Sequence, residues 1–346
     1  MYQEIIKIYE QKLKYLSQIK EKNSLLFLSN HILKTEIEYL HNNSNNQKVP
    51  FTKELKDTLE IISKYKFMFL EIKNYFESIE KHIEIKKITY PLVNKEELFD
   101  ICFNFIENVF PKNIKDQIIN HYQHSMTIFH IPNYEYLKGE TVYIPYLEES
   151  YIYLYGHLNF KMAMILIHEI AHSYHYLNNY MPPYNKNNCF CEIISLFFEF
   201  LFLNYYLDNL KYSDISKKLL IENFSFYNYY SIKINKLLKL YKKINYLQNK
   251  HNISLKEIII KYIDDPNIIK VFNMNPKENY IYVFGYIIAI ELFMIYLEDP
   301  NQAFLDLNKI IMIDGQLNPN DYFEEIKKIG ITPTLNSKKF QKSLNL

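Results

Sequence analysis

One change of periodicity divides this 346-residue chain. Along most of its length, apolar residues recur every three or four positions among Lys and Glu, which predicts helices. From about Ser125 to Tyr155 the segments MTIFHI, ETVYIPYL and YIYLY are short, rich in β-branched and aromatic residues, and separated by Pro, Asn and Gly. Such segments predict strands. The sequence therefore predicts a mainly α fold with one small β-sheet between two sets of helices.

Polar residues stand where several of these helices are expected to begin. The candidate N-caps are Thr52, Asn94, Asn159 and Ser254. Glu97 and Glu257 complete capping boxes with the second and the fourth of them. We divide the chain into an N-terminal helical region, residues 1–124, and a region of sheet and helices, residues 125–346. No long linker separates the two, so they are expected to form one continuous body.

Charge and cysteine content exclude several classes of protein. Lys and Arg number 40 against 39 Asp and Glu, a net charge of +1, so no excess positive charge attracts nucleic acid or anionic membrane. Three cysteines, Cys102, Cys189 and Cys191, are too few and odd in number for a disulfide framework. The N-terminal segment reads as a charged amphipathic helix without a signal peptide's apolar core. A cytoplasmic location is expected.

The segment from Tyr280 to Leu297 approaches the length of a membrane span. Glu291 lies near its middle, and a charge there costs about 2.5 to 3.5 kcal/mol even on lenient insertion scales. The segment is therefore predicted to be a buried core helix, and no membrane insertion is expected.

The motif HEIAH supplies the chemistry. His168 and His172 are four positions apart, so on one helix both imidazoles project from the same face, at the spacing of two ligands of a tetrahedral Zn²⁺. Glu169 lies beside the first ligand and is a candidate general base that takes a proton from water. The apolar segment MAMILI precedes the motif, and buried ionisable groups are costly unless they are paired or bind a metal.

A second apolar helix is predicted at CEIISLFFEFLFL. Glu192, Ser195 and Glu199 form one polar stripe on it. The intervening segment, with Pro182 and Pro183, allows the chain to reverse and bring this stripe back to the histidines. Glu192 is then the third zinc ligand, which leaves the fourth position open as in catalytic sites. Ser195 and Glu199 are predicted to orient the ligands through hydrogen bonds.

Each of these assignments has an alternative. The two motif histidines can be hydrogen-bonded residues of an ordinary core, and Glu199 can form a salt bridge to Lys. Cys189 and Cys191 can bind zinc, although a thiolate-rich site favours a structural role. His175 can contact a ligand or the substrate, or can be a core histidine.

These residues resemble a known family. HEIAHSYH, followed by E-x-x-S-x-x-x-E, is similar to the thimet oligopeptidase and oligoendopeptidase F family of zinc metallopeptidases. YIYVFGYIIA resembles the Tyr-rich active-site helix of that family, and KKIGITPTLNSKKFQKSL resembles the oligoendopeptidase F ending. The resemblance runs from about Gly139 to the C-terminus. It implies a gluzincin-type helical fold with a substrate channel, cleavage of short peptides, one Zn²⁺, and the ligands and base chosen above.

The resemblance also implies phenolic donors to the oxyanion. Tyr286 is the first candidate and Tyr282 the second. Two features depart from the family: MNPKENY places Pro276 and Lys277 where members carry a His before this helix, and the chain is shorter than typical members.

The sequence is compatible with three functions. The first is a zinc-dependent oligopeptidase that acts on oligopeptide substrates. The second is a catalytically degenerate member that binds peptides or a protein partner, which the missing His favours and the complete ligand and base set disfavours. The third is a specialised metalloprotease effector, which a broad peptide cleavage profile would disfavour.

Overall fold

The computed structural model describes residues 2–19, 23–43, 74, 77, 89–131, 137–179, 189–251, 276–314 and 322–332. The elements in these ranges are, in chain order, helices α1 (Tyr2–Ser17), α2 (Ser24–Asn43), α3 (Lys95–Val109) and α4 (Lys112–Gln123), strands β1 (Met126–His130), β2 (Lys138–Ile144) and β3 (Glu149–Tyr155), and helices α5 (Phe160–Asn178), α6 (Cys189–Leu207), α7 (Ser213–His251), α8 (Pro276–Glu298), α9 (Pro300–Asp314) and α10 (Tyr322–Lys328). The predicted mainly α fold with one small sheet is confirmed.

All three strands lie within the segment predicted to be β-structure, and they form one sheet in the order β1-β3-β2. β1 pairs with β3 in parallel and β2 pairs with β3 antiparallel. β2 is therefore an edge strand, and its register is set by β3, with Gly139 opposite Leu154 and Thr141 opposite Ile152.

The sheet is a middle layer, because successive side chains of a strand point to opposite faces. On one face Val142, Ile144 and Tyr151 pack with α1 and α2 in a small apolar cluster. On the other face Ile152 and Leu154 join the main core with α3, α4 and α5. The N-terminal helices thus cover the side of the sheet that is turned away from the HEIAH helix.

Two predicted N-caps are confirmed. The side chain of Asn94 accepts a hydrogen bond from the backbone N–H of Glu97 at 2.8 Å, at the start of α3. That of Asn159 accepts one from the backbone N–H of Met162 at 2.9 Å, at the start of α5. Each bond satisfies a backbone donor that the first helical turn leaves without an intrahelical acceptor. The predicted caps at Thr52 and Ser254 lie outside the described residues.

Helices α5, α6 and α8 form the centre of the molecule. α6 is apolar on nearly all sides, and four of its phenylalanines are buried: Phe197, Phe198, Phe200 and Phe202. Phe105 of α3 is also buried and packs against Phe202. α8 packs along α6, and its residues 283–290 are buried, which confirms the core helix predicted there.

Over the described part of the chain, no helix has the length and apolar character needed to cross a membrane. The reversal through Pro182 and Pro183, and the C-terminal segment after residue 332, lie outside the described residues.

Candidate metal centre

Helix α5 brings the two motif histidines to one point, as their spacing predicts. The Nε2 atoms of His168 and His172 lie 3.0 Å apart, and the rings meet nearly edge to face, with centroids 4.7 Å apart. Both side chains are largely shielded from solvent, with 15% and 11% of their surfaces exposed. Two imidazole nitrogens therefore face the same small volume of space.

Glu192 of α6 completes the group. Its Oε2 lies 3.6 Å from Nε2 of His168, and its Oε1 lies 3.9 Å from Nε2 of His172. One ligand atom from each of these three residues lies within 4.8 Å of the others. In a tetrahedral zinc site with bonds of about 2.0 to 2.2 Å, ligand atoms stand about 3.3 to 3.6 Å apart. The observed distances, 3.0 Å between the imidazole nitrogens and 3.6 and 3.9 Å to the two oxygens of Glu192, bracket this range, so the three residues are close enough to hold one zinc ion.

The orientation of His168 fits the same ion. Its Nδ1 lies 2.6 Å from Oε1 of Glu199, so Nδ1 carries a proton toward the carboxylate and leaves Nε2 to face the metal position. Glu199 is in turn held by Asn223 of α7, whose side-chain amide donates to Oε2 at 3.1 Å. A metal-bound imidazole that donates its other N–H to a carboxylate is the usual arrangement in protein zinc sites. Glu199, from the polar stripe of α6, thus lies between His168 and Asn223.

Glu169 lies next to the ligands but is held by the sheet. The hydroxyl of Thr141 in β2 donates to Oε2 of Glu169 at 2.7 Å and also lies 3.1 Å from the backbone carbonyl of Glu169. The side chain of Glu169 also lies directly against Gly139, where a Cβ atom would stand 2.6 Å from Cγ and 2.8 Å from Cδ. The candidate base is therefore enclosed between its own helix and the edge strand.

Burial and mutual charge shift the protonation of these groups in the metal-free chain. Burial raises the pKa of Glu169 to about 7, against the opposing effects of His168 and Thr141. Burial opposes protonation of His168, but the hydrogen bond and charge of Glu199 outweigh it and raise its pKa to about 9. Burial, followed by the charge of His168, lowers the pKa of His172 well below its usual range. Burial is also the main reason that the pKa of Glu192 is raised. Four ionisable groups are thus packed into a space where a divalent cation would be strongly stabilised.

Of the remaining predicted site residues, Ser195 and Tyr282 contact Glu192, whereas His175 is buried beside Tyr176. The hydroxyl of Ser195 lies 3.3 Å from Oε2 of Glu192 and 3.2 Å from its backbone carbonyl, and Tyr282 also forms a hydrogen bond to Glu192. His175 is 1% exposed and faces the ring of Tyr176, as the core-histidine alternative predicts.

Of the two tyrosines chosen as oxyanion donors, Tyr282 is the one in contact with the metal centre. Tyr286, the first candidate, lies one turn farther along α8 and is 1% exposed. Its ring stacks on Tyr227 at 3.6 Å between centroids and packs against Phe200 and Phe224. The structure thus brings Tyr282 into contact with Glu192 and packs the ring of Tyr286 in the aromatic core of α6 and α7.

Cys191, the other candidate metal ligand described, forms a hydrogen bond with Tyr176. Within the described part of the chain, the group with metal-ligand geometry contains the two histidines and Glu192, without a cysteine. The side chain of Cys189 lies outside the described residues.

Three residues of the site carried no sequence signal. Thr141 is 28 positions from Glu169, and Asn223 is 24 positions from Glu199. Gly285 of α8 faces Glu192, and a Cβ atom there would stand 3.0 Å from Cβ of Glu192 and 3.2 Å from its carbonyl carbon. Each contact depends on how two elements dock, which periodicity along one element does not report.

Neither a protein-family model nor a curated protein matches the sequence. Among solved structures, the chain is similar to a protein assigned as oligoendopeptidase F from Bacillus anthracis, with 13% identity and a TM-score of 0.45 over 99% of this chain and 61% of that one. It is similar to PZ peptidase A bound to an inhibitor, with 14% identity and a TM-score of 0.44 over 98% and 65% of the two chains. A protein assigned as a peptidase from Chlamydophila abortus gives 12% identity and a TM-score of 0.45 over 98% and 62%. The chain thus spans less than two thirds of the length of these structures, and likeness at this level does not extend to function.

Proposed function

We propose that this chain is a zinc-dependent metallopeptidase that hydrolyses peptide bonds in short oligopeptides. The observation that carries the proposal is the convergence of His168, His172 and Glu192, from two buried helices, with one ligand atom from each within 4.8 Å of the others. Three protein ligands leave one coordination position for water or substrate, which is the pattern of catalytic rather than structural zinc.

Zinc, when bound, acts as a Lewis acid that polarises the scissile carbonyl and makes water more acidic. Glu169 then performs the proton transfers. Its carboxylate takes a proton from the attacking water as the oxygen bonds to the carbonyl carbon, and it returns that proton to the departing amide nitrogen as the C–N bond breaks. This role is supported by the position of Glu169, which directly follows the proposed ligand His168 in the sequence and is 5% exposed, so that its carboxylate is shielded from bulk solvent.

Tyr282 is the residue we assign to the oxyanion. Its phenol already reaches the metal centre through the hydrogen bond to Glu192, so its O–H can turn to the carbonyl oxygen that gains charge during attack. Tyr286 would support Tyr282 by packing, since its ring is enclosed among Tyr227, Phe200 and Phe224.

A peptide substrate is supported by the sheet. β2 is an edge strand, and its residue Thr141 touches the proposed base. An extended peptide that pairs with a strand edge is a common mode of peptide recognition, and pairing here would run the peptide past the metal. All 40 basic residues are Lys, so a terminal carboxylate of the substrate would be bound by Lys or by backbone N–H groups. The proposal includes a cytoplasmic location, which the few cysteines of the sequence support.

The experiment that tests the proposal is the Glu169→Gln substitution in zinc-loaded protein. We expect the variant to bind one zinc per chain, as measured by metal analysis, and to lose peptide hydrolysis by roughly 10²- to 10⁴-fold, the contribution of general acid–base catalysis. Hydrolysis is followed with a mixture of synthetic oligopeptides by mass spectrometry of the new termini. Glu222→Gln is the matched control, because Glu222 forms an ion pair with Lys161 at 3.0 Å and is expected to be dispensable for turnover.

Three outcomes would contradict the proposal. Undiminished turnover in Glu169→Gln would remove Glu169 from the role of base. Failure of the unmodified chain to bind zinc would remove the metal centre. If the unmodified chain binds one zinc but produces no new peptide termini, the peptide-binding alternative is favoured instead.

A further inference from the structure

We propose that Gly139 and Thr141 of β2 form a seat that positions the carboxylate of Glu169, so that the sheet orients the base while the helices hold the metal. The inference deepens the proposed function and rests on it. Gly139 and Thr141 are positioning residues in this scheme, because they act on Glu169 rather than on the substrate.

Thr141 fixes one oxygen of the carboxylate. Its hydroxyl has a single proton to donate, and Oε2 of Glu169 at 2.7 Å is a nearer acceptor than the backbone carbonyl at 3.1 Å. A hydrogen bond to an ionised carboxylate is about twice as strong as one between neutral groups. Because Oε2 is engaged by Thr141, the geometry assigns the proton transfer to Oε1.

Gly139 provides the space for the other half of the carboxylate. Residues 139 and 141 are two apart on a strand, so they address the same face, here the face toward α5. A Cβ atom at 139 would overlap Oε1 of Glu169 and would stand 2.6 Å from Cγ and 2.8 Å from Cδ. Any residue other than glycine would therefore occupy the position in which Glu169 now lies.

The atoms that such a Cβ would displace are the end of one flexible side chain. Gly139→Ala can therefore fold with Glu169 rotated to another staggered conformation, at little cost in stability but with the base out of place. Gly285 offers the contrast, since its neighbours at 3.0 to 3.3 Å include backbone atoms of α6, which cannot rotate away.

The seat predicts that catalysis and metal binding separate on mutation. The ligands belong to α5 and α6, whereas Gly139 and Thr141 belong to β2, whose register is set by β3. Changes in the seat should lower kcat while the zinc affinity stays the same. A structural defect would lower the zinc affinity and the melting temperature together with kcat.

The test compares Thr141→Val, Thr141→Ser and Gly139→Ala in the zinc-loaded full chain. For Thr141→Val we expect kcat to fall about 10- to 100-fold, in line with the loss of an outer hydrogen-bond partner, with KM and zinc affinity within about twofold of the unmodified chain. Thr141→Ser restores most of kcat because it keeps the O–H donor. Gly139→Ala lowers kcat to within about tenfold of the Glu169→Gln level, with zinc affinity unchanged.

Crystal structures of the unmodified chain and of Gly139→Ala are the second measurement. We expect the Glu169 carboxylate to sit on Thr141 in the first and to be displaced in the second. If the unmodified chain cleaves peptides and both Thr141→Val and Gly139→Ala retain full kcat, the seat is refuted while the proposed function stands. If the unmodified chain cleaves no peptide, the proposed function fails. In that case the crystal structures still test the seat, because an unchanged Glu169 conformation in Gly139→Ala would refute it.

Discussion

Replacing Glu199 with Gln should weaken zinc binding without removing a ligand. Glu199 accepts a hydrogen bond from Nδ1 of His168 at 2.6 Å, and its side chain is 11% exposed. The carboxylate orients the imidazole and makes Nε2 a better donor to the metal. Glutamine keeps the shape and one carbonyl acceptor but loses the charge.

The size of the effect follows from the kind of hydrogen bond that is lost. A bond to a charged group contributes about 1.5 to 3 kcal/mol, against about 0.5 to 1.5 kcal/mol for a neutral one. The difference, about 1 to 1.5 kcal/mol, corresponds to a roughly 5- to 12-fold weaker affinity. Glu199→Ala, which removes the acceptor altogether, should weaken zinc binding by up to about 100-fold.

The assay is a competition for zinc between the protein and a fluorescent chelator at one fixed pH. Glu222→Gln serves as the control, because it removes a carboxylate of α7 that pairs with Lys161 and not with the site. Zinc affinity in Glu199→Gln within twofold of the unmodified chain would refute the reasoning that Glu199 acts through His168. Equal weakening in Glu222→Gln would show a general effect of charge.

Two further predictions concern stability. Gly285→Ala should destabilise the metal-free chain by about 1 to 3 kcal/mol, the cost of overpacking, because the added Cβ meets Glu192 and backbone atoms of α6. It should also weaken zinc binding, since Glu192 is a proposed ligand. An unchanged melting temperature would contradict this prediction. Burial, with a smaller effect of His124, lowers the pKa of His121 to about 4. As the pH falls, His121 therefore binds a proton in the unfolded chain before it does so in the folded chain. The free energy of unfolding should fall by about 3 kcal/mol in total as the pH drops from about 6.5 to 4. His121→Gln should flatten that part of the stability curve measured by denaturant unfolding, and curves of equal slope would contradict the assignment.

Local pattern was enough for much of the fold. The strands formed where short segments rich in β-branched and aromatic residues replaced helical spacing. Asn94 and Asn159 cap the helices that follow them, because both effects act over a few neighbouring residues. The same holds for His168 and His172, whose four-residue spacing places them on one helical face whatever surrounds the helix.

Glu192 and Glu199 needed one further assumption, that α6 returns antiparallel to α5. Polar residues on one side of an apolar helix indicate which side meets the site, and the stripe was sufficient for both. On α8 this reasoning had little to use, since Glu291 is the one charged residue between positions 280 and 297. The choice between Tyr282 and Tyr286 was therefore decided by how α8 docks on α6 and α7.

The sequence by itself determined the helical body, its one sheet and the shared helical face of His168 and His172, because each depends on pattern within neighbouring residues. It indicated Glu192 only with the further assumption that two helices pack together. Only the tertiary structure decided what holds those groups in place. The contacts of Thr141 and Gly139 with Glu169, of Asn223 with Glu199 and of Gly285 with Glu192 each join two elements. Such contacts depend on docking distances of a few tenths of an ångström, which arise from the close packing of the whole core.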